Sequence, residues 1–397
     1  MGKRRLALIL LAWMCFLVSA CTASTNASPT PTPELSPWGT VHALAFSEYP
    51  SAPAVIADGV TMFAWAGTDA REARLYAHPA DAASPTILAL KASAPLEVQM
   101  YAAAAGRFHL LWRDDVEGQL HLFYGLFNAE AVAEWGAYDM SEQTIYNSTA
   151  LSLPDGGLRV VYSGGWAVEP RLFVQDLDGR GRSQFPIALE QAGDFPTVLP
   201  FDETVWLFWQ TEDGAVWQGH LEGNALVEPQ SITLTPTLAA GDAITHLSAS
   251  GDATYRYLFW QVVRSDGSAE TWYAVGEKTG LIWSPAMRLT IPTIGANTTQ
   301  TGYQVGDVVA VERGAEAVGW SAPLGGVQTI VPIAVQTGDV LGIAYLQAGN
   351  IMGYQRLVGV GRMIGRPALA LRPDRSLVLA WSEPNVNAAA LHWIASR

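Results

Sequence analysis

The sequence predicts an all-β fold made of repeated four-stranded sheets, and three observations carry this prediction. A phrase of two small or apolar residues followed by an aromatic residue recurs roughly every 50 residues along the chain. Within each unit, four short apolar segments are separated by turns rich in Gly, Asp and Pro, and no convincing amphipathic helix interrupts them. Tryptophan is abundant, with 15 residues in a chain of 397, and several of these lie in the repeated phrase.

The recurring aromatic residues, called anchors below, occupy seven positions: Trp65, Trp112, Tyr162, Trp209, Trp260, Trp320 and Trp381. Four short strands per unit are typical of the blades of a β-propeller, which bury their faces against each other. We therefore predict a β-propeller of seven blades, with each anchor on a second strand at the interface between blades. Six or eight blades are the alternatives, and a pair of β-sandwiches is the rival fold.

The count of eight blades stays open because residues 321–366 contain a surplus pair of strands. These strands lie near Val340–Leu346 and Ile351–Leu357. Tyr345 could anchor an extra blade, or the two strands could be an embellishment of blade 6. The ends of the chain predict how the ring closes. The last unit stops after its third strand, and residues 40–46 resemble the fourth strands of other units. We expect residues 40–46 to complete the final blade, which removes the open sheet edge.

The first 21 residues predict export and lipid anchoring. A basic start is followed by the apolar run Leu6–Val18 and then Ser19, Ala20 and Cys21, the pattern of a secretory signal peptide. The residues Val18-Ser19-Ala20-Cys21 resemble the lipobox of bacterial lipoproteins, which implies cleavage before Cys21 and lipid attachment to its thiol. We expect a signal peptide at 1–20, lipidated Cys21 with a disordered Ser/Thr/Pro tether at 21–38, and the propeller at 39–397.

The signal peptide and the lipobox-like residues together predict an extracytoplasmic location, on the outer membrane if the cell has one. The only other cysteine, Cys15, lies inside the signal peptide, so we expect no disulfide in the mature domain. The formal net charge of −14 argues against nucleic acid as a partner, because phosphate binding needs a basic surface. We expect a monomer that needs no cofactor.

Two turns are similar to the Asp boxes of sialidase-like propellers, the BNR-repeat type. They are Thr211-Glu212-Asp213-Gly214-Ala215-Val216-Trp217 and Ser265-Asp266-Gly267-Ser268-Ala269-Glu270-Thr271-Trp272. The first is one residue short of the family spacing, and the second has its Asp displaced. Asp boxes stabilise turns, so the resemblance implies a fold and no catalytic residue.

No catalytic or metal-binding constellation is predicted. The resemblance would imply three converging arginines beside a Tyr and a Glu, but Arg113, Arg264, Arg366 and Glu48-Tyr49 are far apart in sequence. The candidates for a pair of catalytic carboxylates are Glu48, Asp114, Glu169, Asp194, Asp266 and Glu383. His109 and His121 are interpreted as strand residues. The calcium-like start Asp176–Gly181 is interpreted as a hairpin turn, because it lacks the later acidic ligands.

The repeat itself indicates where a ligand would bind. The residues that follow the anchors are mostly polar and are expected around one mouth of the central channel: Arg113, Ser163, Gln210, Gln261, Ser321 and Ser382. Trp166, preceded by two glycines and outside the repeated phrase, could be a stacking platform for a sugar or peptide. We therefore predict a binding or scaffolding module for a glycan, peptide or partner protein. A sialidase-like glycoside hydrolase is the alternative.

Overall fold

The computed structural model describes most of the chain beyond the N-terminal segment. The described residues are 38–45, 51–69, 72–141, 143–165, 170–201, 204–232, 238–239, 241–251, 254–277, 282–289, 318–321, 331–337, 340–347, 350–360, 363, 365–374, 376–383 and 390–396. All described secondary structure is β, and it forms seven four-stranded antiparallel sheets. None of the described residues forms a helix long and apolar enough to span a membrane. The predicted signal peptide, Cys21 and most of the tether lie outside the described residues.

Each sheet is one blade, and blades 1 to 4 follow each other along the chain. Blade 1 contains β2 (Ala54–Asp58), β3 (Val60–Asp69), β4 (Glu72–Pro79) and β5 (Thr86–Ile87). Blade 2 contains β6 (Pro95–Ala103), β7 (Arg107–Val116), β8 (Gln119–Asn128) and β9 (Ala133–Asp139). Blade 3 contains β10 (Ile145–Ser152), β11 (Leu158–Gly164), β12 (Arg171–Leu177) and β13 (Ile187–Ala192). Blade 4 contains β14 (Asp194–Phe201), β15 (Thr204–Gln210), β16 (Val216–Glu222) and β17 (Ala225–Ile232).

The remaining blades include the one that joins the two ends of the chain. Blade 5 contains β18 (Ala243–Gly251), β19 (Tyr255–Val263), β20 (Ala269–Glu277) and β21 (Met287–Arg288). Blade 6 contains β22 (Val318–Ser321), β23 (Val331–Thr337), β24 (Val340–Gln347) and β25 (Asn350–Gly359). Blade 7 contains β26 (Ala368–Leu371), β27 (Leu377–Glu383), β28 (Ala390–Ala395) and β1 (His42–Ala45). The prediction of a seven-bladed β-propeller is confirmed.

The closure of the ring by the N-terminal strand is also confirmed. β1 pairs with β28 in an antiparallel register that places His42 opposite Trp393 and Ala43 opposite His392. The His42 ring stacks on the Trp393 indole with 4.1 Å between ring centroids. Just before β1, the Trp38 indole donates a hydrogen bond of 2.8 Å to the Gln355 side chain of blade 6. The start of the domain is therefore bound to both of the last two blades.

The anchors of blades 1 to 5 pack each of these blades against the one before it in the ring. Trp65 of blade 1 lies in a core with Trp393 of blade 7, and Trp112 of blade 2 lies in a core with blade 1 residues such as Met62. The anchors of blades 3, 4 and 5 repeat this placement: Tyr162, Trp209 and Trp260. All five of these side chains are at most 2% exposed. Burying one indole contributes on the order of 4 kcal/mol as an upper estimate, so these residues provide much of the cohesion of the ring.

Each of these anchors also faces a ring on the third strand of its own blade. Backbone register pairs Trp65 with Tyr76 and Trp112 with Phe123, and their ring centroids are 5.4 and 5.6 Å apart. The same pairing recurs as Tyr162 with Phe173, Trp209 with Trp217, Trp260 with Trp272 and Trp381 with His392. Such cross-strand pairs stabilise a sheet by up to about 1 kcal/mol each. They explain why the repeated phrase is followed by a second aromatic or His residue.

Blade 6 differs from the sequence prediction. Trp320 was expected on a second strand, but it lies on β22, the first strand, opposite Ala334 of β23. The strands interpreted as surplus are the third and fourth strands of this blade, and Tyr345 lies on the third. The described residues therefore form no eighth blade. The repeated phrase did not identify the second strand because β23 has no aromatic residue, and the matching phrases lie on the neighbouring strands β22 and β24.

A buried histidine links blades 2 and 3 at the end opposite the residues that follow the anchors. His109 is fully buried, and its Nε2 lies 3.0 Å from the backbone oxygen of Gly156. Because a carbonyl only accepts, Nε2 carries the proton, and Nδ1 accepts a hydrogen bond of 2.8 Å from the Tyr124 hydroxyl. Burial lowers the pKa of His109 to about 4.

This histidine predicts a pH dependence of stability. The unfolded chain protonates His109 near pH 6.5, whereas the folded protein does so only near pH 4. The contribution to stability is therefore complete above pH 6.5 and is lost as the pH falls towards 4, by about 3 kcal/mol. We expect the gap in unfolding free energy between the wild type and His109→Gln to shrink by that order between pH 7 and 4, measured by urea denaturation. A gap that is constant with pH would contradict this assignment.

Candidate functional site

The first strands line the centre of the ring, and their starting ends carry the candidate site. Contacts run between the first strands of successive blades, from β26 through β2, β6, β10, β14 and β18 to β22. The first strand of each blade is antiparallel to the second, so it begins where the second strand ends. The residue that follows each anchor therefore lies beside the beginning of a first strand.

A β-bulge recurs at this position in four consecutive blades. The register shifts between Pro95 and Glu97, Ile145 and Asn147, Asp194 and Thr197, and Ile244 and His246. The polar member of each pair lies opposite the residue that follows an anchor: Glu97 opposite Arg113, Asn147 opposite Ser163, Asp194 opposite Gln210, and His246 opposite Gln261. Bulges redirect side chains and are frequent beside functional sites. We define the mouth as Glu97, Arg113, Asn147, Asp194, His246 and Arg366.

Glu97 is the centre of an ion-pair cluster in the mouth. Its Oε2 lies 2.8 Å from Nη2 of Arg113, and its Oε1 accepts a hydrogen bond from Arg366. Arg113 also donates to the backbone oxygen of Tyr146 in blade 3. Burial raises the pKa of Glu97, but the two guanidinium groups lower it by more, so the net pKa is below its usual range. Glu97 is therefore ionised and neutralises one of two adjacent positive charges.

Arg366 extends this cluster to a third blade. It lies just before β26 of blade 7, and its Nη1 is 2.9 Å from Nδ1 and 3.0 Å from Nε2 of His246 in blade 5. An arginine only donates, so the nitrogen of His246 that accepts is unprotonated. Burial and the charge of Arg366 hold the pKa of His246 well below its usual range. One guanidinium thus connects blades 2, 5 and 7, and its side chain remains 39% exposed.

Asp194 forms a second polar cluster in the mouth. Its Oδ1 accepts hydrogen bonds from the Nδ2 of Asn147 at 2.8 Å, from the backbone of Phe195 at 2.7 Å, and from the hydroxyl of Ser163. Phe195 adopts a left-handed φ of 50°, which is uncommon for an aromatic residue. These hydrogen bonds hold the carboxylate between blades 3 and 4, and Phe195 lies within the bulge at the start of β14.

A cavity opens beside Asp194 and is lined by residues of blades 3, 4 and 5. Its volume is about 920 Å³, and its wall combines the aromatic residues Phe195 and Trp217 with polar side chains. The polar lining residues are Asp194, Gln210, Thr211, Glu212, Asp213 and Asp242. Asp213 accepts hydrogen bonds from the Thr211 hydroxyl at 2.6 Å and the Ala215 backbone at 3.2 Å, so the first Asp-box-like turn forms one edge of the cavity.

Gly193 permits this cavity to form beside the blade 4 anchor. A Cβ atom at this position would lie 2.3 Å from Cδ1 of Trp209 and 3.0 Å from the backbone oxygen of Gln210. Real side chains do not approach so closely, and the ring of Trp209 is fixed by its packing against blade 3. Only glycine therefore lets the chain pass behind the anchor and present Asp194 to the cavity.

The sequence-predicted ligand face is distributed unevenly. Arg113 lies in the mouth, Ser163 hydrogen-bonds to a mouth residue and Gln210 lines the cavity. Gln261 is paired with His246. Ser382 is buried and donates a 3.0 Å hydrogen bond to the backbone oxygen of Ser51, so its hydroxyl is engaged between blades 7 and 1. These residues lie within second strands and not in the loops beyond them. Ser321 ends a first strand, and Trp166 lies outside the described residues.

The sialidase-type arrangement is not assembled by the described residues. Arg113 and Arg366 meet at Glu97, but Arg264 is bound to Asp242 at 2.6 Å and to Glu270 at 2.8 Å. Glu48 and Tyr49 lie outside the described part of the chain, as does Glu169.

The carboxylates considered as a catalytic pair have separate roles. Asp114 accepts hydrogen bonds from the backbone of Ser93 and Ala94, and Asp266 closes a turn through Ser268. Glu383 accepts a hydrogen bond of 2.7 Å from the Trp381 indole. Of the candidate carboxylates that the structure describes, Asp194 alone lies in the mouth.

The remaining predicted turns and histidines are structural. Asp178 accepts hydrogen bonds from the backbone of Arg180 and Arg182, which makes Asp176–Gly181 part of a hairpin turn. His121 pairs with Asp139 at 2.8 Å, away from His109. In the part of the chain that the structure describes, no group of three His, Cys, Asp or Glu side chains could hold a metal ion.

The sequence analysis missed Glu97, Asn147 and His246 of the first strands, although a signal was present. These strands carry a polar residue near their start, as in Glu97 of PLEVQM and His246 of AITHLS. The contacts of Arg366 could not be found this way, because its partners Glu97 and His246 are 269 and 120 residues away along the chain.

Comparison with known proteins supports the fold and does not assign a family. No protein-family model matches the sequence, and no curated protein matches it either. Among solved structures, the polysaccharide lyase Uly1 is similar with a TM-score of 0.55 at 9% identity, over 88% of this chain and 91% of that one. A variant of the sialidase NanB from Streptococcus pneumoniae is similar with a TM-score of 0.41 at 8% identity, over 91% of this chain and 70% of that one. Identities this low show the fold alone.

Proposed function

We propose that this protein is a lipid-anchored, extracytoplasmic binding module whose propeller takes a glycan at the mouth and in the adjoining cavity. The observation that carries the proposal is the composition of the cavity wall. Phe195 and Trp217 supply aromatic surface, while Gln210, Glu212 and Asp213 supply amide and carboxylate oxygens. Sugars present apolar C–H faces and a rim of hydroxyl groups, so they need both kinds of contact.

The size and position of the cavity also support a glycan. A volume of about 920 Å³ lies at the upper end for small-molecule sites and leaves room for more than one sugar ring. The cavity continues to Asp194, whose carboxylate is held by hydrogen bonds from blades 3 and 4. A chain of sugars could therefore lie across the face of the ring, with one end at the mouth.

The lipid anchor belongs to this proposal on sequence grounds. The lipobox-like Val18–Cys21 and the Ser/Thr/Pro tether would hold the propeller outside the membrane, where glycans are encountered. Attachment of two or more acyl chains gives stable membrane association. A binding module of this kind would keep its ligand at the cell surface without needing a catalytic group.

Glycan binding is tested with the full chain and two variants. We expect the wild type to bind oligosaccharides on a glycan array and in calorimetry. Trp217→Ala should weaken binding at least tenfold, since it removes aromatic surface from the cavity. Tyr138→Ala, on the outer strand of blade 2, removes an exposed ring away from the cavity and should leave binding unchanged.

Trp217 also packs on Trp209, so the thermal midpoint of each variant is measured to show that it is folded. Glu212→Gln serves as a second variant, because it changes a carboxylate of the cavity wall without altering aromatic packing. An array without any bound glycan would overturn the proposal.

The anchor is tested separately by replacing the lipid-accepting residue. Cells that produce the wild type should hold the protein in the membrane fraction and incorporate labelled palmitate into it. Cys21→Ala should abolish the label and release the protein from the membrane fraction, whereas Ser19→Ala keeps a small residue before the cut and should retain both. Labelling that survives the loss of Cys21 would contradict the assignment.

A further inference from the structure

The two arginines of the mouth already hold a carboxylate that belongs to the protein. Glu97 contacts Arg113 through one carboxylate oxygen and Arg366 through the other. A ligand carboxylate that approached these guanidinium groups would therefore have to displace Glu97. Glu97 cannot swing freely into solvent, because its side chain is only 21% exposed.

The charges around the mouth also disfavour an anion. The mouth contains two positive groups, Arg113 and Arg366, and two negative groups, Glu97 and Asp194, and neutral His246 adds no charge. The adjoining cavity adds Glu212 and Asp213, while the charge of Asp242 is balanced by Arg264. The whole chain carries a formal net charge of −14, so the long-range field repels anions as well.

We infer that Glu97 is a specificity-determining residue that restricts the site to uncharged glycans, by occupying with its own carboxylate the arginine pair that an acidic sugar would use. This inference rests on the proposed function and names its ligand class. Hydroxyl groups of a neutral sugar can still hydrogen-bond to the exposed part of Arg366 and to Asp194 without displacing any charge. An acidic sugar would bury a second carboxylate beside Glu97, and like charges in contact oppose each other strongly.

Two variants separate this inference from a general loss of structure. Glu97→Gln keeps the size of the side chain and one acceptor for an arginine, but it leaves the pair with an excess positive charge. Glu97→Ala in addition opens space between the two guanidinium groups. Circular dichroism and the thermal midpoint establish that each variant is folded before binding is measured.

The experiment compares matched neutral and acidic sugars on the full chain. Calorimetry with glucose-based and glucuronate-based oligosaccharides of equal length gives the ratio of their affinities for the wild type and for both variants. We expect the wild type to favour the neutral series by at least tenfold, and the ratio to shift towards glucuronate by at least tenfold in Glu97→Gln and Glu97→Ala. The shift should shrink as salt is raised, since it arises from charge.

Each outcome has a distinct meaning for the two proposals. A wild type that binds glucuronate oligosaccharides as well as the neutral series, or variants whose ratio does not move, would overturn the role of Glu97 while leaving glycan binding intact. If neither series binds the wild type, the proposed function and the neutral-glycan assignment both fail. If the wild type binds neither series but both variants bind the glucuronate oligosaccharides, that gain still supports the exclusion of anions by Glu97.

Discussion

The structure depends on the packing of most blades against the previous one through a buried aromatic residue. A four-stranded sheet of this size has two apolar faces and cannot bury them by itself, so every blade needs two neighbours. In blades 1 to 5 the anchor supplies one side of the interface, for example Trp65 against blade 7, Trp112 against blade 1 and Trp209 against blade 3. The ring closes only when blade 7 packs against blade 1. Blade 7 in turn needs the N-terminal strand β1 as its fourth strand.

The same constraint places the candidate site. Because the first strands contact each other around the centre, polar residues at their beginnings are brought together from distant parts of the chain. The repeated bulge turns Glu97, Asn147, Asp194 and His246 into positions where ion pairs and hydrogen bonds cross between blades. The site is thus a consequence of the ring geometry, and the bonds of Arg366 to Glu97 and His246 fasten three blades together at that end.

Much of the fold could be predicted from sequence because its signals are local and repeated. The anchors and their turns revealed the blades, and the missing fourth strand at the C-terminus indicated how the ring closes. The prediction failed at Trp320, where β23 carries Ala334 and Ile333 but no aromatic residue to mark the second strand. The candidate site was only partly predicted: Arg113 of the mouth and Gln210 of the cavity follow from the repeat, whereas the pairing of Arg366 with Glu97 depends on side chains brought together by the whole ring.

Ring closure is tested most directly by a disulfide across the seam between the two ends. Ala43 and His392 are opposite each other on β1 and β28, at a separation suited to a disulfide between paired strands. In a Cys21→Ala background, the double variant Ala43→Cys/His392→Cys should form the bond on mild oxidation and raise the thermal midpoint, which returns to its starting value on reduction. The mismatched pair Ala43→Cys/Ala390→Cys should remain reduced under the same conditions. Failure of the matched pair to cross-link in the folded protein, or equal cross-linking of both pairs, would contradict a propeller closed by its N-terminal strand.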